Sequence, residues 1–215
     1  MTFLEMQTAV GELINQAVTD DTKTITETEV KRNLNIGYGL VKNAVVATNQ
    51  SFYLRLAKAD LVEDQSRYSL PTDLRRISRV EVGYTASTTR ERVQRVDRNA
   101  KDDPNVVQSE GRPAYYVTGD MIELDPEPSS DVTDGLWLWY IEDTGDMSDD
   151  DDEPNLPKGW EYLPVLYAAS KAKRKVGLNT EAESHLTEFK LEIADMKDEL
   201  MRLEDSLDYV VVRGY

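Results

Sequence analysis

The sequence predicts an α+β fold, mainly α: a helical bundle with an inserted small antiparallel β unit, a long C-terminal αα-hairpin and a C-terminal tail. Three observations predict it. Both ends of the chain carry apolar residues at a period near 3.6 behind helix-capping signals. The middle carries short aromatic and β-branched runs bounded by Gly, Pro, Asp or Ser. The last helical stretch adds a heptad seam.

Thr2-Phe3-Leu4-Glu5 has the spacing of a capping box, in which hydroxyl and carboxylate satisfy orphan amides at a helix start. Behind it Phe3, Met6, Val10, Leu13, Ile14 and Ala17 keep the helical period. A second box, Thr26-Glu27-Thr28-Glu29, opens a helix with apolar positions Val30, Leu34, Val41, Val45, Phe52 and Leu56. Gly37 and Gly39 weaken that helix and predict a kink or break. Residues 1–62 are thus the N-terminal helices of the bundle.

Residues 63–143 read as the β insertion. Its strands are Arg67-Tyr68-Ser69-Leu70, a run from Ile77 to Tyr84 that alternates with one slip, Ala114 to Val117, Met121 to Leu124, and Leu136 to Ile141. Thr118-Gly119-Asp120 is a tight hairpin turn, and Arg92 to Lys101 reads as a short helix before the loop at Asp102-Asp103-Pro104. So few short strands make a weak independent core, so helices from both ends must pack together with the β unit between them.

Residues 144–157 form an acidic linker, and 158–207 the C-terminal helices of the bundle. Lys158 to Val176 carries Trp160, Leu163, Leu166, Tyr167 and Ala169, with Lys171, Lys173, Arg174 and Lys175 suiting the macrodipole and Gly177 as the cap. Thr180-Glu181-Ala182-Glu183 reads as a third capping box. Leu186, Phe189, Ile193, Met196, Leu200, Leu203 and Leu207 then form the helix-packing seam, spaced alternately three and four. That signature arises equally from a coiled coil with another chain and from packing on the protein's own neighbours, which the adjacent hairpin favours. The tail, residues 208–215, contains Tyr209, Val210, Val211, Val212, Arg213 and Tyr215; its aromatic and β-branched composition is that of a docking segment rather than of disorder.

The 215 residues are enough to bury a sizeable core, and the formal net charge of -16 argues against wrapping nucleic acid or adhering to anionic membrane. With no cysteine, disulfides, thiolate nucleophiles and cysteine-based zinc sites are excluded. Met-Thr-Phe-Leu-Glu is not a signal peptide and no apolar run is long enough to span a bilayer, so an intracellular protein is expected.

The sole histidine, His185, reads as a helix-surface residue, and no nucleophile elbow, phosphate loop, dinucleotide fingerprint or paired-histidine zinc motif occurs. No catalytic residue, metal ligand or cofactor is expected. The acidic block Asp149 to Glu153 lacks the alternation and mid-loop glycine of a calcium loop, and neighbouring side chains on an extended backbone point apart. It reads as a solvated connection. Arg75, Arg76, Arg79, Arg90, Arg92, Arg95 and Arg98 form a basic stretch that either meets phosphate or an acidic partner, or balances local Asp and Glu. Two readings of other classes are a free-standing coiled-coil interaction module and a divalent-metal-dependent enzyme using the acidic block.

Tyr68-Ser69-Leu70-Pro71-Thr72-Asp73-Leu74 followed by Ile77-Ser78-Arg79-Val80 resembles the opening of the β unit in tailed-phage head-to-tail adaptor proteins. Gly111-Arg112-Pro113-Ala114-Tyr115-Tyr116-Val117 and Ile122-Glu123-Leu124-Asp125-Pro126-Glu127-Pro128 resemble that family's hairpin. The strand Leu136 to Tyr140, the turn Pro154-Asn155-Leu156-Pro157 and the helix with Tyr167-Ala168-Ala169 follow in the same order. The resemblance implies a structural virion protein, not an enzyme, in the neck between capsid and tail. Such adaptors form a ring, usually twelvefold, beneath the portal protein ring, carry tail and nozzle proteins, and leave a channel through which genome DNA passes without specific binding. It further implies that the helical part builds the ring and the C-terminal tail grips the portal.

Overall fold

The computed structural model describes residues 1–15, 24–85, 90–97 and 113–207, with side chains of the last helix followed to residue 203. Two compact units emerge. One comprises Met1–Phe52 with the chain from Thr144 onward, and the other comprises Tyr53–Asp143.

The first unit holds α1 (Phe3–Ile14), α2 (Glu27–Thr48), α3 (Leu163–Lys175) and α4 (Asn179–Leu207). Both N-terminal capping boxes form as predicted. Thr2 Oγ1 accepts the Glu5 N–H at 3.2 Å while the Glu5 carboxylate accepts the Thr2 N–H at 2.8 Å. Thr26 and Glu29 repeat the exchange at 3.3 Å each way. α3 is the hub, touching α1, α2 and α4, and its first two and a half turns are largely enclosed: Leu163, Val165, Leu166, Ala168, Ala169 and Ala172 are buried. Phe3, Met6 and Val10 of α1 and Val30, Leu34, Val41 and Val45 of α2 complete the unit's core.

Three local expectations change here. α2 runs unbroken through Gly37 and Gly39. Gly37 serves packing instead: a Cβ there would lie 3.0 Å from Pro164 Cα and 3.1 Å from its carbonyl oxygen, so the missing side chain lets α3 come close. α3 begins only at Leu163, with Pro164 in its first turn, where a proline costs no helical hydrogen bond. The third capping box does not form, because α4 already begins at Asn179; Glu181 and Glu183 reach back to Lys173 and Arg174 of α3. Gly177 does end α3, at φ +81, with its N–H on the Arg174 carbonyl at 3.2 Å and the Leu178 N–H on Lys173 at 3.0 Å. That is a Schellman closure.

The second unit overturns the predicted fold class. It is not a small antiparallel β unit set in a helical bundle, but a seven-stranded, nearly closed mixed sheet with its own core. The strands are β1 (Leu54–Leu61), β2 (Arg67–Ser69), β3 (Leu74–Val82), β4 (Glu91–Arg95), β5 (Ala114–Thr118), β6 (Met121–Asp125) and β7 (Val132–Glu142). Their order is β1-β7-β3-β4-β5-β6-β2. Every pairing is antiparallel except β4 with β5, which is parallel. Two stretches that the sequence predicts as helix are strands: the one containing Leu56, which is β1, and the one from Arg92, which is β4. Their composition explains the error, since Leu, Ala, Lys, Arg, Glu and Gln all favour helix, and the pairing of β1 with β7 and of β4 with β3 overrides it.

The sheet curls because one core draws on all of its strands. Leu136, Leu138 and Tyr140 of β7 point into it with Val80 and Val82 of β3, and the two edge strands add Leu61 and Tyr68. Tyr68 Oη accepts the Val62 N–H at 3.2 Å and donates to the Gln65 carbonyl at 2.8 Å, tying those edges together. The slip in the Ile77 to Tyr84 alternation is a bulge: Ile77 faces Tyr140 and Arg79 faces Trp139, leaving Ser78 over.

Candidate functional site

An acidic strap is the first candidate. Residues 144–157 are fastened along one face of α2, where Lys31, Asn35, Tyr38 and Lys42 recur at helical spacing. Asn35 makes a paired contact with the Met147 backbone, donating to its carbonyl at 2.9 Å and accepting its N–H at 3.0 Å. Tyr38 Oη and Thr144 Oγ1 lie 2.6 Å apart, Lys42 Nζ donates to the Gly145 carbonyl at 3.4 Å, and Lys31 Nζ reaches Asp150 at 3.3 Å. Met147 and Leu156 are buried. The strap also caps α1: the Phe3 and Leu4 N–H groups donate to the carbonyls of Asp152 and Asp150 at 2.7 and 3.0 Å. Together with Thr2, this satisfies the amides of the first three helical residues, and it sets negative charge at the positive end of the helix.

Within the strap the Asp152 carboxylate accepts the Ser148 and Asp149 N–H groups at 2.7 and 2.9 Å, and these backbone bonds hold its pKa below the ordinary value. A hydrogen bond from Lys175 does the same for Glu29 on α2, helped by the Thr26 N–H. The segment that reads in sequence as a solvated connection is therefore held in place. Asp149, Asp151 and Glu153 are exposed and have no ion-pair partner among the described residues. Among the described residues, no group of three or more Asp, Glu or His is arranged to hold a metal ion.

The seam on α4 divides. Phe189, Met196 and Leu200 are buried with Ala182, while Leu186 and Ile193 are half-buried. Phe189 meets Tyr167 of α3 with ring centroids 5.5 Å apart. Leu203 is 50% exposed, beside Met201 at 51%, and the side chain of Leu207 lies outside the described residues. At about 1.5 Å per residue, the 29 residues of α4 far outreach the 13 of α3, so the distal seam has less of α3 to pack on. His185 Nδ1 lies 3.7 Å from Glu188, with the side chain part-buried. Tyr209, Val210, Val211, Val212, Arg213 and Tyr215 lie outside the described residues.

The basic stretch falls on the β unit. Trp137 and Trp139 project from β7 away from the core, and cations cover both. Lys58 Nζ and the Arg90 guanidinium lie 4.7 and 4.1 Å from the Trp137 ring, and Arg79 lies 5.2 Å from Trp139. Cross-strand register places Lys58, Trp137, Glu81 and Arg92 in one row over β1, β7, β3 and β4. Arg79 pairs with Glu81 at 2.8 Å, and Arg90 donates to the Asp134 carbonyl at 3.0 and 3.2 Å. Arg92 and Arg95 are exposed and lack an ion-pair partner among the described residues. Arg98 lies outside them.

The model of the SU10 adaptor protein family matches residues 1–212. The chain belongs to that family. The match spans both units and bears out the resemblance to phage head-to-tail adaptors. No curated protein matches the chain. Membership makes the chain a bacteriophage adaptor, a virion component. Among the described residues, no helix is long and apolar enough to cross a membrane.

Sequence reasoning located the acidic block and the arginines of this adaptor but missed the anchoring face of α2. The one signal in the sequence is the helical spacing of Lys31, Asn35, Tyr38 and Lys42; in the structure Tyr38 and Lys42 are buried and Lys31 and Asn35 half-buried, and the strap supplies their polar partners.

Proposed function

We propose that this adaptor is a structural, non-catalytic protein of the virion neck that forms a ring, twelvefold as in such relatives, beneath the portal protein ring. The helical unit builds the ring, the tail from Tyr209 to Tyr215 grips the portal, and tail or nozzle proteins attach on the far side. Genome DNA passes through the central channel without specific binding, since a surface with net charge -16 repels phosphate. The observation that carries this reading is the family match over residues 1–212. The burial of Phe189 and Met196 within the chain's own helices supports an intramolecular role for the seam and leaves the tail for docking.

Electron microscopy of the full chain mixed with portal rings of the cognate phage tests it. Rings stacked on portals are expected for the full chain, and truncation after Leu207 should abolish binding while leaving the circular dichroism unchanged. Normal binding by the truncated chain would remove the tail from the proposal; no stacking by the full chain would remove the adaptor ring itself.

A further inference from the structure

We infer that the groove lined by Arg79, Arg92 and Arg95 where β3 and β4 part is the seat for the acidic strap of a second copy of this chain, a contact that deepens the ring reading and rests on it. A ring of identical subunits joins two different faces head to tail. In a chain of net charge -16 most pairs of faces repel, so the contact needs a face of opposite sign. The described surface offers a basic groove on the sheet and a fixed acidic ridge in the strap.

The basic face is a built surface. The indoles of Trp137 and Trp139 hold Lys58, Arg90 and Arg79 flat against the sheet, so ordering them on binding costs little side-chain entropy. An open groove of about 490 Å³ lies between Leu54, Ser78, Arg79, Arg92 and Trp139, and a second of about 670 Å³ opens beside it between β3 and β4, where Arg92, Gln94 and Arg95 surround Val80, Val93 and Tyr115. The bulge at Ser78 shapes the boundary that both share. Two of the guanidiniums, Arg92 and Arg95, have no ion-pair partner among the described residues.

The strap supplies the matching charge. Asp149, Asp151 and Glu153 are exposed and lack ion-pair partners among the described residues, while Asp150 and Asp152 are spent on Lys31 and on the strap's own turn. Its backbone is pinned to α1 and α2, so it meets a groove as a preformed ridge rather than as a chain that must be ordered first. Guanidinium against carboxylate is the pairing with the best bidentate geometry.

Because the chain has no cysteine, disulfide trapping reads the contact directly. Two singly substituted full-length chains of different tag size, R92C and D151C, are mixed and oxidised. A mixed disulfide is expected at roughly tenfold the yield of R92C with D120C, a hairpin-turn control, fading as salt rises from about 0.05 to 0.5 M. Charge reversal is the second arm: R92E/R95E and D149K/D151K should each lose that association in sedimentation, and mixing these two reversed chains should restore it. Cross-linking no better than the control, or reversals that leave association and portal-bound rings intact, overturns this contact while leaving the ring standing. A trapped contact without rings on portals instead overturns the ring reading and keeps the pairing of faces.

Discussion

Gly37 and Gly39 sit two residues apart in one helix and do opposite things. A methyl group on Gly37 would press on the Pro164 backbone of α3, which cannot swing away, whereas one on Gly39 meets open space. Gly37→Ala should therefore lower stability by about 1–3 kcal/mol, as overpacked contacts do, while Gly39→Ala should raise it by about 0.5–1 kcal/mol through helix propensity. Urea unfolding followed by helical circular dichroism checks both signs. From sequence the two glycines look alike, because propensity is local and the approach of α3 is not. Asp152 gives a prediction in pH. Its folded pKa lies below the ordinary 3.8 because the Ser148 and Asp149 N–H groups favour the carboxylate. A depressed pKa stabilises the fold above the unfolded value and is lost as pH falls through the folded one. The stability gap between wild type and Asp152→Asn should then hold steady from about pH 7 to 5 and shrink below about 3.8. A gap that stays constant into acid would mean that the carboxylate's charge plays no part in the turn.

Elements were legible where one chain segment carries its own signal, and obscure where a partner decides. The capping boxes of α1 and α2, the Gly177 closure, the two-residue turn between β5 and β6 and even the bulge in β3 follow from residues adjacent in sequence. β1 and β4 did not, since Leu-Arg-Leu-Ala-Lys-Ala-Asp-Leu and Glu-Arg-Val-Gln-Arg are helix-favouring strings that become strands through pairing with β7 and with β3. The anchoring of the strap is hidden for the same reason: its acids are solvated as their composition predicts, while Asn35, a hundred and more residues away, holds the backbone of their neighbour Met147. The seam on α4 lies between these cases. Its period was visible, and which of its residues are covered depends on where α3 stops. Met196→Ala, at a fully buried site, should cost about 2–5 kcal/mol, whereas Leu191→Ala, 62% exposed on the same helix, should stay within about 0.5 kcal/mol. Thermal unfolding of the two variants measures the difference, and equal losses would place the buried face elsewhere on α4.

At the scale of the whole molecule, the chain builds two cores from an interrupted order, the helical one from both ends and the sheet from the middle. The expected dependence of a weak β unit on its helical neighbours rested on too few strands. With seven strands and a curled sheet whose edges are tied through Tyr68, the middle of the chain buries enough side chains to sustain a core of its own. Separate cores open separately, and native-state hydrogen exchange resolves which amides share an opening. Leu34 is fully buried in the helical core. Leu34→Ala should remove about 2–5 kcal/mol there and speed exchange in α2 and α3 by roughly thirtyfold or more, with β7 nearly unchanged. Leu138→Ala, in the sheet core, should do the reverse. Acceleration of α3 and β7 together by either variant would show one cooperative block, and the sheet would then be an extension of the helical core after all.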